Sequence, residues 1–243
     1  MGKGPRQTRL IGLVGGMSSE SSTLYYQFIN REMHRRLGGH HNARSVLFTL
    51  DFDELNAAAA AGRWEVIAER VADAIACLKR AGAEFAMITS VTAHRVADEV
   101  EAVSELPLLH IADPMAAAIR RAKLSTIGLL ATRYTVEQDF LRQRLERKHG
   151  LSIIAPPSTQ QDELQRIIID ELTAGIFSKQ SRATLMRISA GLRDLGAQGT
   201  ILGCTELPLL VAADDMPLPT FDAALLHARA AVDLALGGAL YDE

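Results

Sequence analysis

Eight short apolar runs punctuate the chain: "LIGLVGG" (10–16), "SVLFTLDF" (45–52), "FAMITS" (85–90), "LPLLHI" (106–111), "TIGLLAT" (126–132), "LSIIAP" (151–156), "TILGCT" (200–205) and "PLPTFD" (217–222). They are apolar on both faces, as strands of a parallel sheet covered by helices must be. Between most of them, apolar residues recur every three or four positions, over 18–36, 63–81, 135–148, 160–174 and 180–195. That period predicts helices packed on one face. Alternation of strand and helix predicts an α/β protein with parallel sheets.

The pattern also repeats. "LKRAGAEFAMITSVT" (78–92) aligns without gaps on "LRDLGAQGTILGCTE" (192–206), with Leu78 against Leu192, Gly82 against Gly196 and Ala83 against Ala197. The constant offset of 114 residues brings Ser90 opposite Cys204. Upstream, "IGLVGG" (11–16) resembles "IGLLAT" (127–132) at an offset of 116; downstream, "LPLLHIAD" (106–113) resembles "MPLPTFD" (216–222), with Pro107 against Pro217. Three marks in the same order predict two pseudo-symmetric, Rossmann-like parallel-sheet domains. The expected division is 1–113 plus 223–243, with a C-terminal helix returning to the first domain, and 114–222. Ligands of open parallel sheets bind beyond the carboxyl ends of the strands. Facing halves would bring the loops after 16, 90, 132 and 204 to one cleft.

Composition narrows the field. The chain has 243 residues, 48% hydrophobic and 23% charged, with a formal net charge of −3, the profile of an ordinary globular protein. No global field favours nucleic acid or an acidic membrane surface, and no run reaches the roughly 20 apolar residues of a membrane span. Met1-Gly2 invites a myristoylation signal, but position 6 is Arg rather than Ser or Thr. A cytoplasmic protein is the expectation. Two cysteines are too few for a disulfide framework. Cys77, within the helical "VADAIACLKR", is expected to be a small core residue.

Candidate chemistry lies at the strand ends. Cys204 closes an apolar strand and is followed by Thr205 and Glu206. Backbone N–H groups at a helix start can lower a thiol's pKa and make it a working base or nucleophile; the alternative is a buried structural cysteine. "AMITSVTAHR" (86–95) runs from apolar residues into Thr89, Ser90, Thr92 and His94, which reads as a site or as a turn. "GGMSSESS" (15–22) joins a Gly-Gly turn, Gly16 and Met17 to a serine-rich helix start, where free N–H groups could hold a carboxylate. Ordinary N-capping by Ser18 is the other reading. It is neither a G-x-G-x-x-G fingerprint nor a P-loop. Asp51 and Asp53 either end a strand and rim the cleft or cap the next helix. His40-His41 is expected in an exposed loop. No metal site is expected, because the histidine spacing supplies no partners.

"GCTELPLL", "TSVTAH", "GLVGGMSSESS" and "LLATRYTVEQDF" together resemble the cofactor-independent aspartate/glutamate racemases, and most closely the bacterial branch acting on L-aspartate and L-glutamate. The resemblance runs from about residue 9 to about residue 235. It implies two α/β domains with the active site between them, a small dicarboxylic amino acid as ligand, no cofactor, and a homodimer. It also implies two acid–base groups, one on each face of the substrate α-carbon. The C-terminal cysteine of the family maps onto Cys204. The usual Cys-Asn-Thr triplet of the other half maps onto Ser90-Val91-Thr92, a departure at two of three places. His94 and Glu206 would sit behind the two acid–base groups and tune them. Thr132, Tyr134, Thr135 and Thr205 would join Gly16, Met17, Ser18, Val91 and Thr92 in holding substrate.

A serine hydroxyl is a far weaker acid than a thiol and needs its own base. Three readings of Ser90 stay open. It relays a proton and the enzyme is a slower or one-sided racemase; Cys204 works alone in a decarboxylase or isomerase of a dicarboxylic acid; or Ser90 is an engineered change. A non-catalytic protein binding acidic amino acids is the alternative outside enzymology.

Overall fold

A computed structural model describes residues 8–238. Met1, Gly2 and Arg6, on which the myristoylation reading turns, lie outside that range, as does 239–243 of the expected first domain. The chain forms two compact units. One runs up to His110 and resumes at His227; the other is Ile111–Leu226.

In the first unit β1 (Ile11–Gly15), β2 (Ser45–Thr49), β3 (Phe85–Ile88) and β4 (Leu108–Leu109) form a parallel sheet in the order β2-β1-β3-β4. In the second unit β5 (Thr126–Leu130), β6 (Ser152–Ile154), β7 (Gly199–Leu202) and β8 (Thr220–Asp222) form a parallel sheet in the order β6-β5-β7-β8. The fold is α/β, two sheets of one topology with flanking helices. In each sheet the chain leaves the first strand toward one edge and the third toward the other. The loops after those two strands therefore diverge at a topological switch point, where such sheets bind ligands.

The sequence repeat is a repeat of hydrogen bonds. Helix Trp64–Arg80 ends at Gly82 with φ 90°, helix Lys179–Asp194 at Gly196 with φ 99°. Both glycines adopt the left-handed conformation that an L side chain resists. The next amide closes the turn in each: Ala83 N–H onto Leu78 O and Ala197 N–H onto Leu192 O, both at 3.0 Å. Leu78 and Leu192 then pack over Gly12 of β1 and Gly128 of β5, where an added Cβ would come within 3.2 Å and 2.7 Å of the respective leucine Cδ1. The strands pair alike, Ile11 with Phe85 and Ile127 with Gly199. So the matched leucines, glycines and alanines are the parts that end a helix and seat it on its strand.

The downstream match needs a two-residue correction. Ala86 N–H bonds Pro107 O and Thr200 N–H bonds Pro219 O, each at 2.8 Å. Pro107 therefore corresponds to Pro219, not Pro217, and His110 to Asp222. The sheet pairs backbone, and the "MPLP" text offered two prolines of which only the second is in register.

Other expectations change in detail. β2 is an edge strand rather than one buried on both faces; Leu47 is 45% exposed. The helix expected over 135–148 is two, Arg133–Glu137 and Phe140–His149, separated by Asp139 at φ 60°. That over 160–174 is an α-helix, Ser158–Arg166, passing into π and 3-10 turns over Ile167–Ala174. Cys77 is not a core residue. Val71, Ala74, Ile75 and Leu78 form the buried stripe of its helix, while Cys77 lies half-buried at the margin and receives a hydrogen bond from Arg80. β2 ends at Thr49, and Asp51 caps helix Phe52–Ala60 by accepting from Asp53 N–H at 3.0 Å. His40 and His41 are exposed outside regular structure.

Candidate active site

In the first unit the loops after β1 and β3 are tied by hydroxyls. Gly16 follows β1 with φ 88°, and a Cβ there would lie 2.0 Å from Leu50 O. Its N–H donates to Ser22 Oγ at 2.9 Å, and Ser22 Oγ in turn donates to Ser18 O. Ser18 N-caps helix Ser19–Leu37, accepting from Ser21 N–H at 3.2 Å. Ser21 Oγ donates to Thr89 O at 2.6 Å, and Thr89 Oγ1 donates to Val14 O at 3.2 Å. Thr89 is fully buried. The serine-rich stretch thus clamps the end of β3 onto the start of a helix, and the capping reading of Ser18 describes its geometry. The first turn already carries an anion of its own. Glu20, bonded to its own backbone amide and to Ser19, has a carboxyl held below the usual range.

The clamp presents Ser90, half-buried, as the first residue past Thr89. Ser90 Oγ accepts from Ala93 N–H at 3.3 Å, and its carbonyl meets His94 Nδ1 at 2.7 Å. Val91 is buried, 6% exposed, so its side chain belongs to the interior. Thr92, half-buried, opens a 3-10 turn, Thr92–Val96. His94 is buried as well, in contrast to a helix-start histidine satisfied by solvent. Met17 is partly buried against the apolar core.

In the second unit Thr132 follows β5 and caps helix Arg133–Glu137; its hydroxyl lies 3.1 Å from that of Thr135. Thr135 is buried and Tyr134 is 41% exposed. Gln161 Nε2 donates to Ala131 O at 2.9 Å, while its buried Oε1 has no hydrogen-bond partner among the described residues. β7 ends as β3 does: Gly203 N–H bonds Leu130 O at 2.7 Å, as Thr89 N–H bonds Val14 O at 2.9 Å. The next residue is Cys204. Its Sγ donates to Glu206 Oε2 at 2.9 Å, and Thr205 Oγ1 donates to the same oxygen at 2.7 Å. Burial pushes the Cys204 thiol well above its ordinary value, and the Glu206 carboxylate pushes it further. The nearby N–H groups act the other way and lose. The lowering expected from a helix start is therefore not what the site does: the helix that follows, Leu207–Leu210, is a single turn, and a carboxylate stands closer. Burial and the adjacent carboxylate both favour the protonated thiol at Cys204.

Ser21, Ser22, Gln161, His110 and His227 escaped the sequence reading. The i, i+3, i+4 spacing of Ser18, Ser21 and Ser22 was the available signal for the first two. Nothing in "LLHARAAV" marks His227. Among the described residues, no cluster of three His, Cys, Asp or Glu side chains is placed to hold a metal ion, and no helix is long and apolar enough to cross a membrane.

The duplicated α/β fold and the family match together place this chain in the class of amino-acid racemases, which are isomerases. The Asp/Glu/Hydantoin racemase family model matches residues 14–231, and the chain belongs to that family. A crystal structure from Yersinia pestis, whose Asp/Glu racemase name is itself provisional, is 46% identical, with 94% of this chain and 99% of that one covered at a TM-score of 0.89. An aspartate racemase homologue from Pyrococcus horikoshii is 32% identical over the same shares, with a TM-score of 0.80. A glutamate racemase from a Roseiflexus strain is 26% identical over 219 residues, 85% of this chain and 70% of the relative.

Proposed function

We propose that this racemase inverts an acidic amino acid, aspartate or glutamate, by removing the α-proton from one face and returning a proton to the other. No cofactor takes part. Cys204 serves one face and Ser90 the other. The observation that carries the reading is the equivalence of the two positions: each is the first residue beyond the same backbone hydrogen bond of the same strand in its own sheet.

Cys204 rests as a thiol and so starts as a proton donor. The Glu206 carboxylate at its sulfur is the acceptor that would convert it to thiolate when the reaction runs the other way. Among the described residues, Ser90 Oγ is bonded by Ala93 N–H, and Ser90 passes its proton to water or to a bound substrate group. The two faces therefore work at different rates, and the enzyme is biased toward one direction. Thr132, Tyr134, Thr135 and Thr205 in one half, with Gly16, Met17, Ser18, Val91 and Thr92 in the other, form the loops around the substrate. With no cofactor, the developing carbanion depends on oriented N–H and hydroxyl groups.

That asymmetry also favours a second reading, in which Cys204 alone delivers a proton in decarboxylation or isomerisation of a dicarboxylic acid. Incubation of L- and D-aspartate and glutamate in D2O, followed by NMR, separates them. Loss of the α-proton signal with inversion supports racemization. Exchange without inversion supports single-sided chemistry. No exchange with tight binding of any of the four points to a non-catalytic protein that binds acidic amino acids.

A further inference from the structure

We propose that Tyr25, His110 and His227 act with His94 as a buried positioning relay for Ser90. The proposal rests on the assignment of Ser90 as one of the two acid–base groups. Tyr25 and His227 are fully buried, and His94 and His110 are each 2% exposed. Polar rings at such depth persist only when their hydrogen bonds are made.

The acceptor fixes the direction of each bond. A carbonyl oxygen only accepts, so His94 Nδ1 carries the hydrogen that meets Ser90 O at 2.7 Å. By the same rule His227 Nε2 carries the hydrogen that meets Leu109 O at 2.8 Å. In the neutral ring His227 Nδ1 is then the acceptor for the Tyr25 hydroxyl at 3.1 Å. The rings close the gap between these bonds. His94 lies edge-on to His110, with centroids 4.7 Å apart, and to His227 at 5.5 Å; Tyr25 meets His227 edge-on at 5.6 Å.

The relay joins four elements: helix Ser19–Leu37, the end of β4, the turn Thr92–Val96 and helix Ala223–Ala235. His227 is the residue at which that last helix rejoins the first unit. Ser90 Oγ accepts from Ala93 N–H at 3.3 Å, and the shorter bond at its carbonyl sets the backbone that aims the hydroxyl. The matching positions of the second unit carry other residues. Pro208 stands at the offset of His94. Asp222 stands at the register of His110, where its Oδ1 accepts from Leu225 N–H.

The test compares inversion with exchange in D2O for Tyr25→Phe, His227→Gln and Ser90→Ala, using L- and D-aspartate. Mispositioning Ser90 should cut inversion about tenfold or more while exchange at the Cys204 face and KM stay within about twofold, so that the first two variants approach Ser90→Ala. Inversion and exchange falling in parallel, or both unchanged, would overturn the relay. A wild type that exchanges without inverting refutes the Ser90 assignment and the relay with it. Should the variants fail to fold, 15N spectra of the wild-type histidines decide: a proton on His94 Nδ1 and on His227 Nε2 supports the relay, and the opposite tautomer at either ring overturns it.

Discussion

Helix Trp64–Arg80 and helix Lys179–Asp194 lead through the same turn into strands of the same register, yet one path ends at Ser90 and the other at Cys204. Even side-chain accessories recur. Glu84 Oε1 accepts from Leu10 N–H at 3.0 Å and Gln198 Oε1 from Thr126 N–H at 3.1 Å. Past the strand end the halves part. Cys204 has a carboxylate at its sulfur; Ser90 has a histidine at its carbonyl. Scaffold positions are held by geometry that few residues satisfy. Chemistry at the strand end was free to diverge once the frame around it was fixed.

The comparison breaks most sharply at Cys204. Cys204→Ala should abolish inversion and exchange at its own face, a loss of about 10²–10⁴-fold, with the fold kept by circular dichroism. Glu206→Gln removes a charge that raises the thiol, so the pH at which Cys204 ionises should fall. It stays above the ordinary thiol value because burial, the larger cause, remains. Thiol alkylation rate against pH reads this directly, and an unchanged profile would mean that the carboxylate does not govern the sulfur.

Asp113 gives the second unit an acid sensitivity. Burial would raise its carboxyl, but hydrogen bonds from Arg144 and His149 and the charges of Arg144 and Lys148 hold it at about 2. His149 Nδ1 accepts from Arg120, which leaves Nε2–H to donate to Asp113 at 2.7 Å. Burial holds the His149 imidazole below its usual value, in keeping with a neutral ring. A depressed carboxyl stabilises the fold above its unfolded pKa, near 3.8, and the gain is lost as pH falls through about 2. Asp113→Asn should cost about 2 kcal/mol at neutral pH and progressively less below pH ~4, read by urea titration at several pH values.

The smallest effects test the likeness of the halves. Gly82 and Gly196 both sit at positive φ with nothing closer than 3.7 Å to an added Cβ, so conformation alone opposes a side chain. Gly82→Ala and Gly196→Ala should each cost about 1 kcal/mol in denaturant titrations. Unequal costs would show that the two turns are not equivalent.

Much of this frame was legible in the text of the chain. The eight strands, the 114-residue offset and the equivalence of Ser90 and Cys204 within their own sheets follow from apolar runs and from glycines that only a helix end requires. Strand ends were not legible: "LPLLHI" contributes only Leu108–Leu109 to the sheet, since apolar character continues past the last ladder bond. Pro217 was mistaken for the partner of Pro107 because hydrophobic pattern does not number hydrogen bonds. The direction of the Cys204 shift was hidden too, because it depends first on how deeply the fold buries the thiol and then on how close Glu206 folds back. The histidines behind Ser90 come from 94, 110 and 227, and no local pattern joins them.

Paired action on one carbon is tested most directly by Ser90→Cys. Restoring a thiol to the weaker position should raise the rate of inversion relative to one-sided exchange by about tenfold or more, with Cys204 untouched. A variant that folds, binds the amino acid and inverts it no faster would contradict the pairing of these two residues.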